Sequence, residues 1–171
     1  VSDARCTYTD ARQRRAVPPS PVPPSSVHYR GDGAARGQGT SGTRTAGLGC
    51  ICYPFGIQPL AWVHKALRDD DTNNIAEYIA LLCILDRVIT KPDPDVVIEL
   101  DSLLVCRQVL GCWRCKSLEL RPLFNASWLK LELIRSQGKH VTVRHIYREF
   151  NTDADRLANK GADGLTGQLN W

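Results

Sequence analysis

Four carboxylates occupy contexts in which they could do chemistry. Asp32 follows a segment that reads as a strand and lies between two glycines, in Tyr-Arg-Gly-Asp-Gly. Glu77 interrupts an apolar helical pattern, in Asn-Asn-Ile-Ala-Glu-Tyr. Asp101 ends the run Val-Val-Ile-Glu-Leu, and Asp155 lies early in Asn-Thr-Asp-Ala-Asp-Arg-Leu-Ala-Asn. Strand ends and a central helix can bring such groups together, where they raise one another's pKa unless cations neutralise them. Oxygen-only ligands that leave open positions suit Mg2+ or Mn2+. Two such ions can activate a water and stabilise the leaving oxygen of a phosphodiester. Each acid alone also has a structural role open to it: Asp32 in a turn, Asp101 or Asp155 at a helix N-terminus, Glu77 on a solvated helix face.

Periodicity supplies the elements that would carry these groups. Residues 27–30 read as a strand running into Gly31-Asp32-Gly33, followed by a glycine-rich loop to Gly42. Residues 46–53 and 58–66 read as a hairpin around Pro54-Phe55-Gly56. Thr72 or Asn73 can cap a helix to about residue 88, with Ile75, Ile79, Leu82, Leu85 and Val88 along one stripe. Residues 96–100 form an apolar strand suited to a sheet centre. Helices follow over 102–110 and 120–136, then a strand over 139–146 and a last helix over 152–162. The order β-β-β-α-β-α-α-β-α places the chain in the α/β class.

The 171 residues carry 22 basic and 18 acidic side chains, for a formal charge of +4. Within that mild total the signs separate. Residues 69–101 hold nine acids against two bases, and residues 102–148 hold nine bases against two acids. Basic surface beside an acidic cluster suits an enzyme that holds a polyanion next to metal ions. A hydrophobic fraction of 43% excludes a wholly disordered chain. No stretch reaches the ~18 consecutive apolar residues of a spanning helix, so no membrane association is expected.

The organisation expected is an arm at residues 1–26 and one domain at 27–171. The arm holds five of the ten prolines and cannot form a core. The chain has no methionine and starts at Val1, which implies a processed chain or part of a longer one. Its seven cysteines, with Cys50 and Cys52 alternating and Cys112 and Cys115 forming a CxxC, read as reduced thiols packed as small hydrophobes. That reading implies a reducing intracellular compartment.

Taken together, Asp32-Gly-Ala-Ala-Arg-Gly-Gln, Thr72-Asn-Asn-Ile-Ala-Glu-Tyr, Asp101-Ser-Leu-Leu-Val with Gln108, Gly111 and Trp113, and Arg148-Glu-Phe-Asn-Thr-Asp-Ala-Asp resemble ribonuclease H type 1. The likeness is to its archaeal and plant-like branch. The resemblance implies a ribonuclease H-like fold, a five-stranded mixed sheet (three antiparallel strands, then two parallel) flanked by helices. It implies hydrolysis of the RNA strand of an RNA–DNA hybrid at a two-metal site of Mg2+ or Mn2+. Its carried-over ligands are Asp32, Glu77, Asp101 and Asp155, with Glu77 also beside a substrate 2′-hydroxyl. It places Asn73 and Gln108 at minor-groove contacts, and Arg36 and Lys116 at backbone phosphates. Gln38 stands where the family usually has Asn. The short stretch before Asp155 lacks the histidine of the bacterial branch, and His145, the nearest, reads as a structural strand residue. The alternative function is an RNA-binding structural subunit of a large ribonucleoprotein, such as a mitochondrial ribosome, held through residues 1–26. On that reading the compartment is mitochondrial, with nuclear or cytosolic placement as the other options.

Overall fold

The computed structural model describes residues 18, 25–37, 45–54 and 59–171. Most of the proline-rich arm and Gln38 lie outside the described residues. Six strands form one sheet: β1 (Val27–Arg36), β2 (Thr45–Pro54), β3 (Ala61–Ala66), β4 (Asp95–Leu100), β5 (His140–His145) and β6 (Gly167–Leu169). Their spatial order is β5-β4-β1-β2-β3-β6. The helices are α1 (Asn73–Thr90), α2 (Leu103–Val109), α3 (Arg121–Ser136) and α4 (Thr152–Ala162), with a 3-10 turn at Arg148–Phe150 before α4.

The expected five strands are present, β1–β3 antiparallel and β4 and β5 parallel to β1, but the sheet has six. The sixth, β6, adds antiparallel to β3. Three residues, Gly-Gln-Leu, carry too little periodicity to be read as a strand, and the pairing partner lies about a hundred residues earlier. The segment after β6 brings Trp171 back over the sheet. Its ring meets Tyr29 edge-on at 6.2 Å and lies under the Arg87 guanidinium at 4.9 Å.

The other correction concerns Asp32. Gly31-Asp32-Gly33 does not end the first strand; β1 continues through it to Arg36, paired with β2 the whole way.

Alternation along the strands builds two layers. Tyr29, Leu48, Cys50, Cys52, Val96, Ile98 and Leu100 pack beneath Tyr78, Leu81, Ile84 and Leu85 of α1 and Leu131 and Ile134 of α3. Ile51 and Tyr53 face the other way, onto Ala154 and Leu157 of α4. α4 can lie this close because β2 presents Gly49, where an added Cβ would sit 2.3 Å from Ala158 N.

One acid is spent on the fold rather than on chemistry. Glu99 of β4 is fully buried and lies in register between Arg30 of β1 and Arg144 of β5. Arg30 Nε donates to Glu99 Oε2 at 2.8 Å, and Arg144 Nε donates to Oε1 at 2.8 Å. His28 Nε2 lies 2.5 Å from Oε2. Burial alone would raise the Glu99 pKa, but these partners outweigh it and hold the carboxyl at about 2, below its ordinary 4.5. A depressed carboxyl stabilises the fold above the unfolded pKa and loses that contribution as pH falls towards the folded one. The shift corresponds to about 3 kcal/mol. Glu99→Gln is therefore expected to cost about 3 kcal/mol near neutral pH, since it leaves the partly buried Arg30 and Arg144 without their counter-charge. In urea melts the gap to wild type should close as pH drops below about 4; a gap undiminished in acid would contradict this account.

Candidate active site

The sheet itself brings two of the carboxylates together. β1 and β4 run parallel, and their register ends at the pair Gly31 and Leu100. One residue further, β1 continues with Asp32 while β4 stops and the chain turns into α2 at Asp101. The two acids therefore emerge as neighbours at the carboxyl end of β4. Ser102 fixes the turn, its Oγ accepting from Val105 N at 3.4 Å as the N-cap of α2.

Glu77 arrives from α1, one turn after the cap that starts it. Thr72 Oγ1 accepts from Ile75 N at 3.3 Å. The carboxylates of Asp32, Glu77 and Asp101 each offer an oxygen within 4.8 Å of the others. Asp32 and Glu77 are buried and Asp101 is half-buried, so the solvated-helix and turn roles open to Glu77 and Asp32 do not apply.

Three acids this close cannot all ionise cheaply. Burial, then Asp101 and Asp155, pushes Asp32 up to about 8. Burial, then Asp32 and Asp101, raises Glu77 well above the carboxylate range. Burial also raises Asp101, against hydrogen bonds to Asp32 and Asn151 that lower it. Glu77 Oε2 and Asp101 Oδ1 are buried without a hydrogen-bond partner among the described residues. Orphaned acceptors in a low dielectric are costly, and a hard divalent cation with oxygen ligands removes both problems. The donor set fits Mg2+ or Mn2+.

Asp155 stands just outside this trio. It enters from the first turn of α4, and its charge reaches Asp32. Asn151 anchors that turn, donating Nδ2 to Gly31 O at 3.0 Å, one residue before Asp32. Arg148 Nε donates to Asp155 Oδ1 at 3.0 Å, and Asn159 Nδ2 donates to Oδ2 at 3.1 Å. Arg148 thus orients Asp155 and also lines the cleft over the carboxylates, which has a volume of about 440 Å³. Reading the four acids alone misses this role, although Arg148 was visible seven residues before Asp155 in the closing motif.

The expected contact residues divide between this cleft and its neighbour. Arg36 and Asn73 line the carboxylate cleft. Arg36 is paired with Asp163 and donates to Asn159 at 2.7 Å. Gln108 and Lys116 line an adjoining groove of about 800 Å³ between the start of α1 and the α2–α3 connection. Gln108 is buried, with Oε1 accepting from Tyr78 OH at 2.6 Å. Cleft and groove meet at Thr72, Asn73 and Asn74. The groove also presents Trp113, half exposed, and Arg114. Neither stood out as a binding residue from the sequence, because a tryptophan and an arginine in a loop carry no periodic signal. His145 closes β5 with Nε2 3.2 Å from Asp101 O, bonded to that residue's backbone rather than its carboxylate.

The sequence matches the reverse transcriptase-like family over residues 34–161. It is 30% identical over 137 residues to the Bifunctional protein Rv2228c of Mycobacterium tuberculosis, covering 80% of this chain and 35% of that protein. The chain thus spans about a third of that relative's length. Among solved structures, it is similar to ribonuclease H1 of the archaeon Halobacterium salinarum, with a TM-score of 0.69, 29% identity, and coverage of 82% of this chain and 99% of that one. It is also similar to LC11-RNase H1, isolated from compost and solved in complex with an RNA/DNA hybrid. There the TM-score is 0.67 at 28% identity, covering 81% of this chain and 97% of that one.

Proposed function

This chain belongs to the reverse transcriptase-like family, whose similar members include ribonucleases H, and from that membership we propose that it is a divalent-metal-dependent endonuclease that hydrolyses the RNA strand of RNA–DNA hybrids. The observation that carries the reading is the trio Asp32, Glu77 and Asp101, with oxygens within 4.8 Å, two of which lack a hydrogen-bond partner among the described residues.

Bound Mg2+ or Mn2+ would supply the positive charge and Lewis acidity that phosphodiester hydrolysis requires. The chain's own residues do the rest. Asp32, Glu77 and Asp101 would hold the ions, and Asp155, oriented by Arg148, would complete the ligand set. Arg148 also adds positive charge beside the scissile phosphate as negative charge builds there. Water adds to phosphorus, the bond to the 3′-oxygen breaks, and the products carry 3′-hydroxyl and 5′-phosphate ends. Glu77, at the floor of the cleft, is placed to accept from a 2′-hydroxyl, the group that distinguishes the RNA strand. Asn73 and the amide of Gln108, whose oxygen is committed to Tyr78, face base edges in the minor groove. Trp113, Arg114 and Lys116 give the groove an aromatic platform and two cations for the second strand.

The test is cleavage of a labelled hybrid by the purified chain. Cleavage confined to the RNA strand, present with millimolar Mg2+ or Mn2+ and abolished by EDTA, is expected. Single-stranded RNA and duplex DNA should remain intact. The same ions should raise Tm in the absence of substrate, because they bind the folded carboxylate trio. An intact hybrid despite a metal-induced Tm rise would overturn the nuclease reading, and no Tm rise would overturn the metal site.

A further inference from the structure

Asp155 is held at both carboxylate oxygens, by different neighbours. Arg148 Nε donates to Oδ1 at 3.0 Å from the 3-10 turn. Asn159 Nδ2 donates to Oδ2 at 3.1 Å and to the Asp155 backbone O at 2.8 Å, from one turn further along α4. Asn159 has a second attachment. Its Oδ1 accepts from Arg36 Nη2 at 2.7 Å, and Nη1 of the same guanidinium is paired with Asp163, the residue that ends α4. Asp155, Asn159 and Asp163 follow one another at four-residue intervals, so they share one face of α4. Arg36 ends β1, the strand that also carries Asp32.

We propose that Arg36 and Asn159 are positioning residues for the metal ligand Asp155, with Arg36 acting through the Asn159 amide; the proposal rests on the nuclease reading above. A side-chain amide has an acceptor end and a donor end. With a guanidinium on one side and a carboxylate on the other, only one orientation of Asn159 is favourable. The reverse orientation turns N–H groups towards the Arg36 cation and oxygen towards the Asp155 anion, which is repulsive at both ends. Arg36 thereby makes Asn159 a fixed donor to Asp155. One donor on each Asp155 oxygen sets the plane of the carboxylate and leaves a lone pair on each oxygen for a cation. Outer hydrogen bonds of this kind orient metal-ligating carboxylates, and losing them costs about 10–100-fold in metal affinity or activity.

This gives Arg36 a different task from the backbone-phosphate contact that the sequence resemblance implies. The two tasks leave different kinetic marks. A cation that neutralises a phosphate acts on affinity, so its loss raises KM for the hybrid and flattens the salt dependence of binding. A residue that sets the Asp155 carboxylate acts on the metal site, so its loss lowers kcat and raises the metal requirement. A third possibility, that Arg36 merely ties β1 to α4, requires only that Asn159 accept from it and gives no weight to the donor end of the amide.

Four variants of the full chain test this: Arg36→Ala, Asn159→Ala, the two combined, and Asn159→Asp. Hybrid cleavage is measured across Mg2+ and salt concentrations, and Tm is followed during Mg2+ titration without substrate. Arg36 is exposed and Asn159 half-buried, so the variants should fold. Each alanine variant should lose about 10–100-fold in kcat and need more Mg2+ for its Tm rise, with KM and the salt slope as in wild type. The combined variant should fall no further than Asn159→Ala, because Arg36 works through that amide. Asn159→Asp keeps an acceptor for Arg36 but faces Asp155 with like charge, and should be at least as impaired as Asn159→Ala. Raised KM and a flatter salt slope at unchanged kcat in Arg36→Ala would overturn the proposal in favour of a phosphate contact. Additive losses in the combined variant, or wild-type behaviour of Asn159→Asp, would also overturn it. A wild-type chain that leaves the hybrid intact would overturn the nuclease reading by itself, while the Mg2+ titration of Tm still reports whether these residues set the metal site.

Discussion

Asp101→Asn is expected to reduce hybrid cleavage by about a thousandfold or more while leaving the metal-free protein at least as stable as wild type. The loss corresponds to ~4 kcal/mol of transition-state stabilisation. Asparagine matches aspartate in size, so the turn into α2, held by Ser102, need not change. What changes is charge. Asp101 supplies an oxygen to the trio, and its Oδ1 has no hydrogen-bond partner among the described residues. An amide keeps one weaker oxygen and adds a donor where a cation should sit. Stability should move the other way, because Asp101 is one of the charges that drive Asp32 up to about 8. Removing it relieves like-charge repulsion that the fold carries for function. Cleavage assays, metal titrations followed by Tm, and metal-free melts separate these effects. Lost activity together with a lower metal-free Tm would mean that Asp101 acts as a structural residue. Unchanged activity would remove the carboxylate trio from the mechanism.

Two kinds of information lay open in the sequence to different degrees. α1 was legible because its cap, Thr72, and its apolar stripe are local features, and β4 because five consecutive residues favour a buried parallel strand. Asp101 followed from β4, since a carboxylate directly after a buried run has few other places to be. Asp32 was singled out, but in the wrong setting. Flanking glycines read as a turn, whereas here they let a neighbouring helix approach a continuous strand. Glu99 shows the reverse failure. It looks like one more acid in an acidic stretch, and only the register of three parallel strands reveals that Arg30 and Arg144 flank it. Register over such distances is not written in any local window. Arg148 and β6 escaped for the same reason: the first needs its geometry to Asp155, the second needs its partner β3.

The glycine that misled the reading of β1 carries the second large effect. Gly33→Ala is expected to destabilise the fold by more than 3 kcal/mol and to lower cleavage by about a hundredfold in whatever protein remains folded. A Cβ at Gly33 would sit 2.2 Å from Glu77 N, 2.3 Å from Ala76 C and 2.7 Å from Ala76 O. All three atoms are α1 backbone, so no rotamer change relieves the overlap. Ordinary contact is about 3.5–4.0 Å, which requires α1 to retreat by more than about an ångström at the turn that bears Glu77. That retreat draws the Glu77 carboxylate away from Asp32 and Asp101, and displacements of this size cost about two orders of magnitude in a positioned site. Gly31→Ala provides the internal control. Its added methyl would meet Ile84 Cδ1 at 2.8 Å and Leu100 Cδ2 at 3.3 Å, both side-chain ends that can swing aside. It should cost only about 1–2 kcal/mol and keep cleavage within a few fold. Urea melts and hybrid cleavage of the two variants side by side give the measurement. Equal behaviour of the pair would show that the α1–β1 contact does not set the position of Glu77. A Gly33→Ala protein that stays folded, loses its metal-induced Tm rise and cleaves poorly would show that it does.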